Sequence, residues 1–178
     1  MVTTLTLIAV LILLLVLLAV CCFFIYLFAT MAVLPVPFVP SNCKILPSVV
    51  DALRLTKDSV LYDLGSGDGK ILLACHKSCP EATYRGIEMH FLPLYIANRA
   101  WRKLGSPANM SFRKGDFFQE DLSEATHIYT YLLPNVMDRL LPKLKKELRP
   151  GTRLVSSTFV FSGYPPTEVG DKICVYAF

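Results

Sequence analysis

The chain is 178 residues long, 53% of them apolar, with 18 Lys and Arg against 14 Asp and Glu and a formal net charge of +4. That length accommodates one ordinary domain and a short appendage. The basic excess is too small and too scattered to point to nucleic acid, and every charged side chain lies at or after Lys44.

The first element in the chain inflates the apolar fraction. From Leu7 to Ala29 the phenol of Tyr26 is the only polar exception. As a helix the run reaches about 35 Å, enough to cross a hydrocarbon core of about 30 Å with some tilt. It reads as one transmembrane anchor, residues 1–30. A cleaved signal peptide is the competing reading, but it lacks a basic start and the apolar run is long for one. Lys44, Arg54 and Lys57 are the first basic residues downstream and none stands upstream. The positive-inside rule then predicts a single-pass membrane protein whose C-terminal domain is cytoplasmic, or matrix-facing in a mitochondrion. Residues 31–44 form a proline-rich linker, in which Pro35, Pro37 and Pro40 enforce a stiff, extended course. Phe38, Val39 and Pro40 there are either a plain spacer or a segment that folds back to line an active site.

Residues 45–178 read as one α/β domain. Its expected elements are a helix over 47–55, a strand over 59–64, a helix over 70–77, a strand over 83–89 and a helix over 93–104. Strands follow over 110–114 and 127–132, then a helix over 134–148, a long strand over 152–161 and a last one over 172–178. Alternating strands and helices predict a parallel sheet covered on both faces, a Rossmann-like doubly wound fold.

The chemistry begins where the first strand breaks. Asp63-Leu64-Gly65-Ser66-Gly67-Asp68-Gly69-Lys70 is a glycine-rich turn that opens a helix, and its glycines let a ligand approach the main chain closely. Asp63 and Asp68 would repel phosphates but suit a cationic sulfonium and its amino-acid tail, so the loop points to S-adenosylmethionine. In such sheets ligands bind at the carboxyl ends of the strands. Glu88 and Met89 end the second strand, about 20 residues beyond the glycines, where an acid can accept from both ribose hydroxyls. Asp116 and Phe117 follow the third, placed to accept from the adenine amino group and to pack on its ring.

These stretches resemble the class I, seven-strand-type methyltransferases that use S-adenosylmethionine. They are most similar to small protein-lysine methyltransferases, among them an archaeal enzyme and membrane-anchored mitochondrial enzymes acting on the ATP synthase c-subunit and the adenine nucleotide translocator. The similarity is carried by residues 37–41, 62–70, 121–126, 131–137 and 148–156. It implies that Asp63, Gly65, Gly67, Glu88 and Asp116 hold the cofactor and that Tyr131, Leu132 and Pro134 sit beside the transferring methyl, with Asn135 next in line. The Asn/Asp-Pro-Pro-Tyr type of motif, used to methylate planar nitrogens, is replaced by Leu133-Pro134-Asn135. The expected function is methylation of lysine in a membrane-proximal protein. The alternatives are a lipid-headgroup or small-molecule methyltransferase and a non-catalytic cofactor-binding assembly factor. Six cysteines without C-x-x-C spacing lead to no expected metal site. His127 begins its strand, at the wrong end for catalysis, whereas His90 closely follows Glu88.

Overall fold

The structure is a computed structural model that describes residues 2–33 and 45–178. It divides into two units, Met1–Pro37 and Phe38–Phe178. The first contains helix α1, Val2–Val33. Its stretch Thr6–Leu27 has a mean hydropathy of 3.5 and is fully unburied. A helix apolar on all sides suits a lipid environment or a core; this length and composition fit a membrane span and equally a signal sequence. The helix continues three residues past the expected anchor boundary. The remainder of the linker, with Phe38, Val39 and Pro40, lies outside the described residues.

The second unit runs α2 (Leu46–Leu53), β1 (Val60–Leu64), α3 (Lys70–Ser78), β2 (Thr83–Glu88), α4 (Phe91–Lys103), β3 (Met110–Lys114), β4 (His127–Thr130), α5 (Pro134–Glu147), β5 (Arg153–Ser157), β6 (Glu168–Gly170) and β7 (Ile173–Ala177). The strands form one seven-stranded sheet in the order β3-β2-β1-β4-β5-β7-β6. The five strands from β3 to β5 are parallel. β7 runs antiparallel to β5, and β6 antiparallel to β7. The wholly parallel sheet expected from the sequence is therefore corrected to a mixed one. No helix lies between β5 and β7 to carry the chain back across a face, so the chain reverses and pairs antiparallel.

Two further boundaries move for physical reasons. The long strand expected over 152–161 ends at Ser157: Thr158 adopts a left-handed backbone, φ 68°, and turns the chain away. Helix α4 begins at Phe91 rather than Pro93. Proline is tolerated there because first-turn N–H groups have no intrahelical acceptor.

The sheet is covered on both faces. Val49 and Leu53 from α2, Ile71, Leu72 and Cys75 from α3 and Ala97 from α4 pack with Leu61, Tyr84, Met110, Phe112, Tyr129 and Val155 of the strands. Helix α5 buries Val136, Met137, Leu140 and Leu144. Strand alternation turns Ile128 and Leu154, both fully buried, to the face opposite Tyr129 and Val155. Thr130 on that same face donates to Met137 Sδ at 3.5 Å, tying α5 to β4. Burial of this kind stabilises by roughly 1.5–3 kcal/mol per large apolar side chain, so the sheet edge that carries the site is held by a packed core.

Candidate active site

The register brings the expected residues to one edge. Leu64, at the end of β1, is level with Ile87 of β2 and Thr130 of β4, and Glu88 is level with Lys114 of β3. β1 is the strand from which the order departs in both directions, toward β2 and β3 and toward β4 and β5. A crevice opens at such a switch point, beyond the carboxyl ends of the strands.

The glycine loop fills the floor of that crevice. Gly65, Gly67 and Gly69 have φ of 81°, 56° and 79°, a left-handed region that costs a side-chain-bearing residue about 1–2 kcal/mol. The loop is pinned to β2 through its backbone: the N–H groups of Gly65 and Ser66 both donate to Ile87 O, at 2.9 and 3.0 Å. Gly67 N–H donates to Glu88 Oε2 at 2.8 Å. Gly69 N–H donates to Ser66 O, and Gly69 itself caps α3. A Cβ on Gly69 would lie 2.7 Å from the Phe112 ring and one on Gly86 2.5 Å from it, so loop, strand and ring are in direct contact.

Three carboxylates converge here. Asp63 is 2% exposed and makes no hydrogen bond or ion pair among the described residues. Burial first, then the charges of Glu88 and Asp68, hold its pKa well above the usual carboxylate value. Asp68 pairs with Lys70 Nζ at 3.0 Å, so its charge is balanced locally. Glu88 is 4% exposed, and its other oxygen, Oε1, accepts from His90 N–H at 2.8 Å and lies 2.7 Å from His90 Nδ1. Met89 is half-buried between them. Ser66 is buried too, and its Oγ has no partner.

Asp116, half-buried after β3, accepts from Phe118 N–H at 3.0 Å and from Gln119 Nε2 at 3.3 Å. Phe117 is 5% exposed and lies tilted against Phe118 at 4.9 Å; Phe118 also carries the Arg139 guanidinium over its ring at 5.0 Å. Tyr131 follows β4 and stacks on Phe159, centroids 5.6 Å apart and planes at 25°. Pro134 and Asn135 are exposed at the start of α5.

Sequence reasoning missed Phe159. It was expected inside a strand, whereas the turn at Thr158 lays it on Tyr131. Ser156 Oγ fixes this course by donating to Phe159 O at 2.6 Å, as does Thr158 N–H by donating to Lys172 O at 2.7 Å. The run Ser156-Ser157-Thr158, where apolar alternation stops, was the available signal. The His90 ring, noted in the sequence for standing close after Glu88, occupies the carboxylate expected to serve ribose alone. His127, by contrast, pairs at the far end of the sheet with Arg153, and burial together with Arg153 lowers its pKa. Cys75 is buried in the core and Cys79 is the C-cap of α3.

The donor set suits S-adenosylmethionine. An unpaired buried carboxylate calls for a cation, which the sulfonium and α-ammonium supply, and the orphaned Ser66 hydroxyl calls for a polar partner. The glycine backbone keeps the approach open, and Lys70, the cation of the loop, is already paired with Asp68.

The comparisons with known proteins agree. A family model described as the ANTKMT methyltransferase domain matches residues 63–168, more than half of the chain. A protein-lysine N-methyltransferase of Saccharolobus islandicus is 39% identical over 134 residues, 75% of this chain and 83% of that protein. The human lysine N-methyltransferase of the ATP synthase c-subunit is 33% identical over 152 residues, which cover 82% of this chain but only 64% of the human protein. Among solved structures, an RNA methyltransferase from Salinibacter ruber in complex with S-adenosyl-L-homocysteine superposes with a TM-score of 0.74 at 32% identity, covering 78% of this chain and 93% of that one. With its match running from Asp63 of the glycine loop to Glu168 of β6, the chain belongs to the ANTKMT methyltransferase domain family and is an S-adenosylmethionine-dependent methyltransferase.

Proposed function

We propose that the chain methylates the side-chain amine of a lysine in a protein held close to a membrane, and that α1 is a single-pass anchor leaving the catalytic domain on the cytoplasmic or matrix side. The observation that carries this reading is the buried, unpaired Asp63 in the glycine loop, a site prepared for a cation. The acceptor class comes from the relatives, two of which are named for lysine methylation. The anchor rests on the apolar stretch Thr6–Leu27.

In this reading Asp63, Gly65, Ser66, Gly67, Asp68 and Gly69 hold the amino-acid end of the cofactor. Glu88 and Met89 hold the ribose, and Asp116 and Phe117 the adenine. The bound cofactor supplies a methyl carbon already activated by its sulfonium. The protein's part is alignment and exclusion of water, which can lower a barrier by about 7–11 kcal/mol when the geometry is right. Tyr131, Pro134 and Asn135 form the acceptor side, with Phe159 against Tyr131. Their ring faces attract a methylated ammonium by about 0.5–2 kcal/mol. A lysine drawn into this site sheds its proton to solvent, because burial beside a cation disfavours its charged form. The expected substrate role of Phe38, Val39 and Pro40 falls on residues outside those described.

A second reading has one observation in its favour: the Salinibacter neighbour is described as an RNA methyltransferase. The full chain, reconstituted in vesicles, is incubated with methyl-labelled cofactor, membrane extract and total RNA. Label on lysine of a membrane protein supports the proposal. Label in RNA or in the lipid phase replaces the acceptor, and cofactor binding without transfer points to the non-catalytic module. Labelling unchanged by Asp63→Ala would show the site to be misassigned.

A further inference from the structure

Helix α4 has two unlike faces. Pro93 and Ala97 are buried, and Leu94 and Trp101 pack on the core. The opposite side exposes large apolar side chains: Phe91 is 69% exposed, Leu92 65%, Tyr95 53% and Ile96 47%. At 100° per residue these four fall within about 140° of one another, and exposed Arg99, Arg102 and Lys103 fall in the same arc. The helix contains no acidic residue. The rings of Phe91 and Tyr95 stack at 6.3 Å, and together with Leu94, Asn98 and Arg102 they line a shallow pocket. Among the described residues of the domain, the other exposed large apolar side chains are Leu104, Val160 and Val169, so α4 carries a cluster where scattered single residues are the norm.

From this face we infer that α4 docks the catalytic domain on an anionic bilayer surface. Aromatic and aliphatic side chains mixed with Arg and Lys, and no acid, complement anionic headgroups above an acyl boundary. The long basic side chains reach up to the headgroups while the apolar ones enter beneath. The tether favours the same partner. Residues 34–44 are eleven in number and span at most about 40 Å, so a domain anchored through α1 has a lipid surface within reach. This inference rests on the anchoring reading above. Helix α4 starts directly after Glu88 and His90, so docking there brings the cofactor edge of the sheet toward the headgroups, within reach of a lysine on a membrane-proximal protein.

The test uses the full chain carrying Leu92→Trp in phosphatidylglycerol-rich vesicles made with brominated or plain acyl chains. Bromine quenches tryptophan in the bilayer, and the parent chain's single Trp101, on the core side of α4, supplies the reference emission. The added tryptophan should lose at least about half its emission in brominated vesicles and recover it on Arg99→Glu with Arg102→Glu, because each basic residue near an anionic surface strengthens binding by about fivefold. Equal emission in the two vesicles overturns the docking, as does quenching untouched by charge reversal. If emission is unquenched and Tyr95→Ser slows methylation of a detergent-solubilised acceptor, the face binds protein instead of lipid. Vesicle flotation separates the two readings. A chain that no longer floats overturns the anchor and the docking with it, whereas a floating chain with unquenched emission overturns the docking alone. Binding of S-adenosyl-L-homocysteine by every variant confirms that it is folded.

Discussion

Replacing Asp63 by Asn should separate cofactor binding from folding. The change is nearly isosteric and removes only charge. The side chain is 2% exposed and unpaired, with its pKa raised by burial, by Glu88 and by Asp68. In the cofactor-free protein its ionised form is therefore a burden. The sign follows from proton linkage: an acid whose folded pKa exceeds its unfolded value binds more protons when folded, so stability falls as pH rises from the unfolded pKa through the folded one. Asp63→Asn should flatten that part of the pH–stability curve and leave the cofactor-free Tm at neutral pH unchanged or higher. The cofactor's cation reverses the balance. A hydrogen bond to a charged group contributes about 1.5–3 kcal/mol, so its loss should weaken S-adenosylmethionine binding roughly 10- to 150-fold. Calorimetric titration gives the affinity, and thermal melts across acid to neutral pH give the slope. A variant that binds the cofactor as the parent does, or whose cofactor-free Tm falls by several degrees, refutes the argument.

The packing and the acceptor side allow three further tests. Gly86→Ala should destabilise by about 1–3 kcal/mol, because its Cβ would lie 2.5 Å from Phe112 and 2.9 Å from Ser66 Oγ; Phe112→Leu should restore part of the Tm in a double-mutant cycle. Tyr131→Phe should keep kcat/KM within about threefold, while Tyr131→Ala or Phe159→Ala should lower it tenfold or more if ring faces serve the acceptor; equal losses for Phe and Ala at Tyr131 would assign the work to the hydroxyl. Cys75, its pKa pushed up to about 12 by burial, then by Asp63 and Cys79, should resist maleimide at pH 8 in the native protein and react on unfolding, as read by mass spectrometry.

Much of the fold was legible because its signals are local. The run 60–64 followed by alternating glycines locates β1 to within one residue of the expected 59–64, and β3 has the expected bounds, Met110–Lys114. The miss around β5 has a non-local cause. β6 is three exposed residues whose pairing is assisted by partners far away in sequence: Glu168 accepts from Arg153 at 3.0 Å and from Arg54 at 3.1 Å. Neither charge pattern nor periodicity announces such a strand. Phe159 was hidden for a related reason, since its position depends on a left-handed Thr158 that propensity disfavours and that Ser156 and Lys172 hold in place. The acids at the strand ends could be counted in the sequence, but not their differences. Asp68 is neutralised by Lys70, Glu88 is committed to backbone and histidine, and only Asp63 is left bare.

That commitment of Glu88 bears on how cofactor enters. A carboxylate offers about four lone-pair directions. Gly67 N–H fills one on Oε2, while His90 N–H and the His90 ring occupy Oε1. The Gly67 bond ties the loop after β1 to the end of β2 and preorganises the cradle without ligand, so it gains nothing by breaking. A ribose diol needs two acceptor positions and finds one free. The bond it can displace without unsettling the loop is the one from the His90 ring, which is 18% exposed and can turn to solvent. His90→Ala should therefore leave the affinity for S-adenosyl-L-homocysteine unchanged or tighten it by up to about tenfold, the lower end of what a hydrogen bond to a charged group contributes. Replacing Glu88 by Gln should weaken it and lower the Tm together, because the amide cannot accept from both Gly67 and His90 through two oxygens. If His90→Ala instead weakens binding tenfold with the Tm intact, the imidazole is orienting the carboxylate toward ribose, and the order of events is reversed: the ring stays and the ribose binds to what it leaves open.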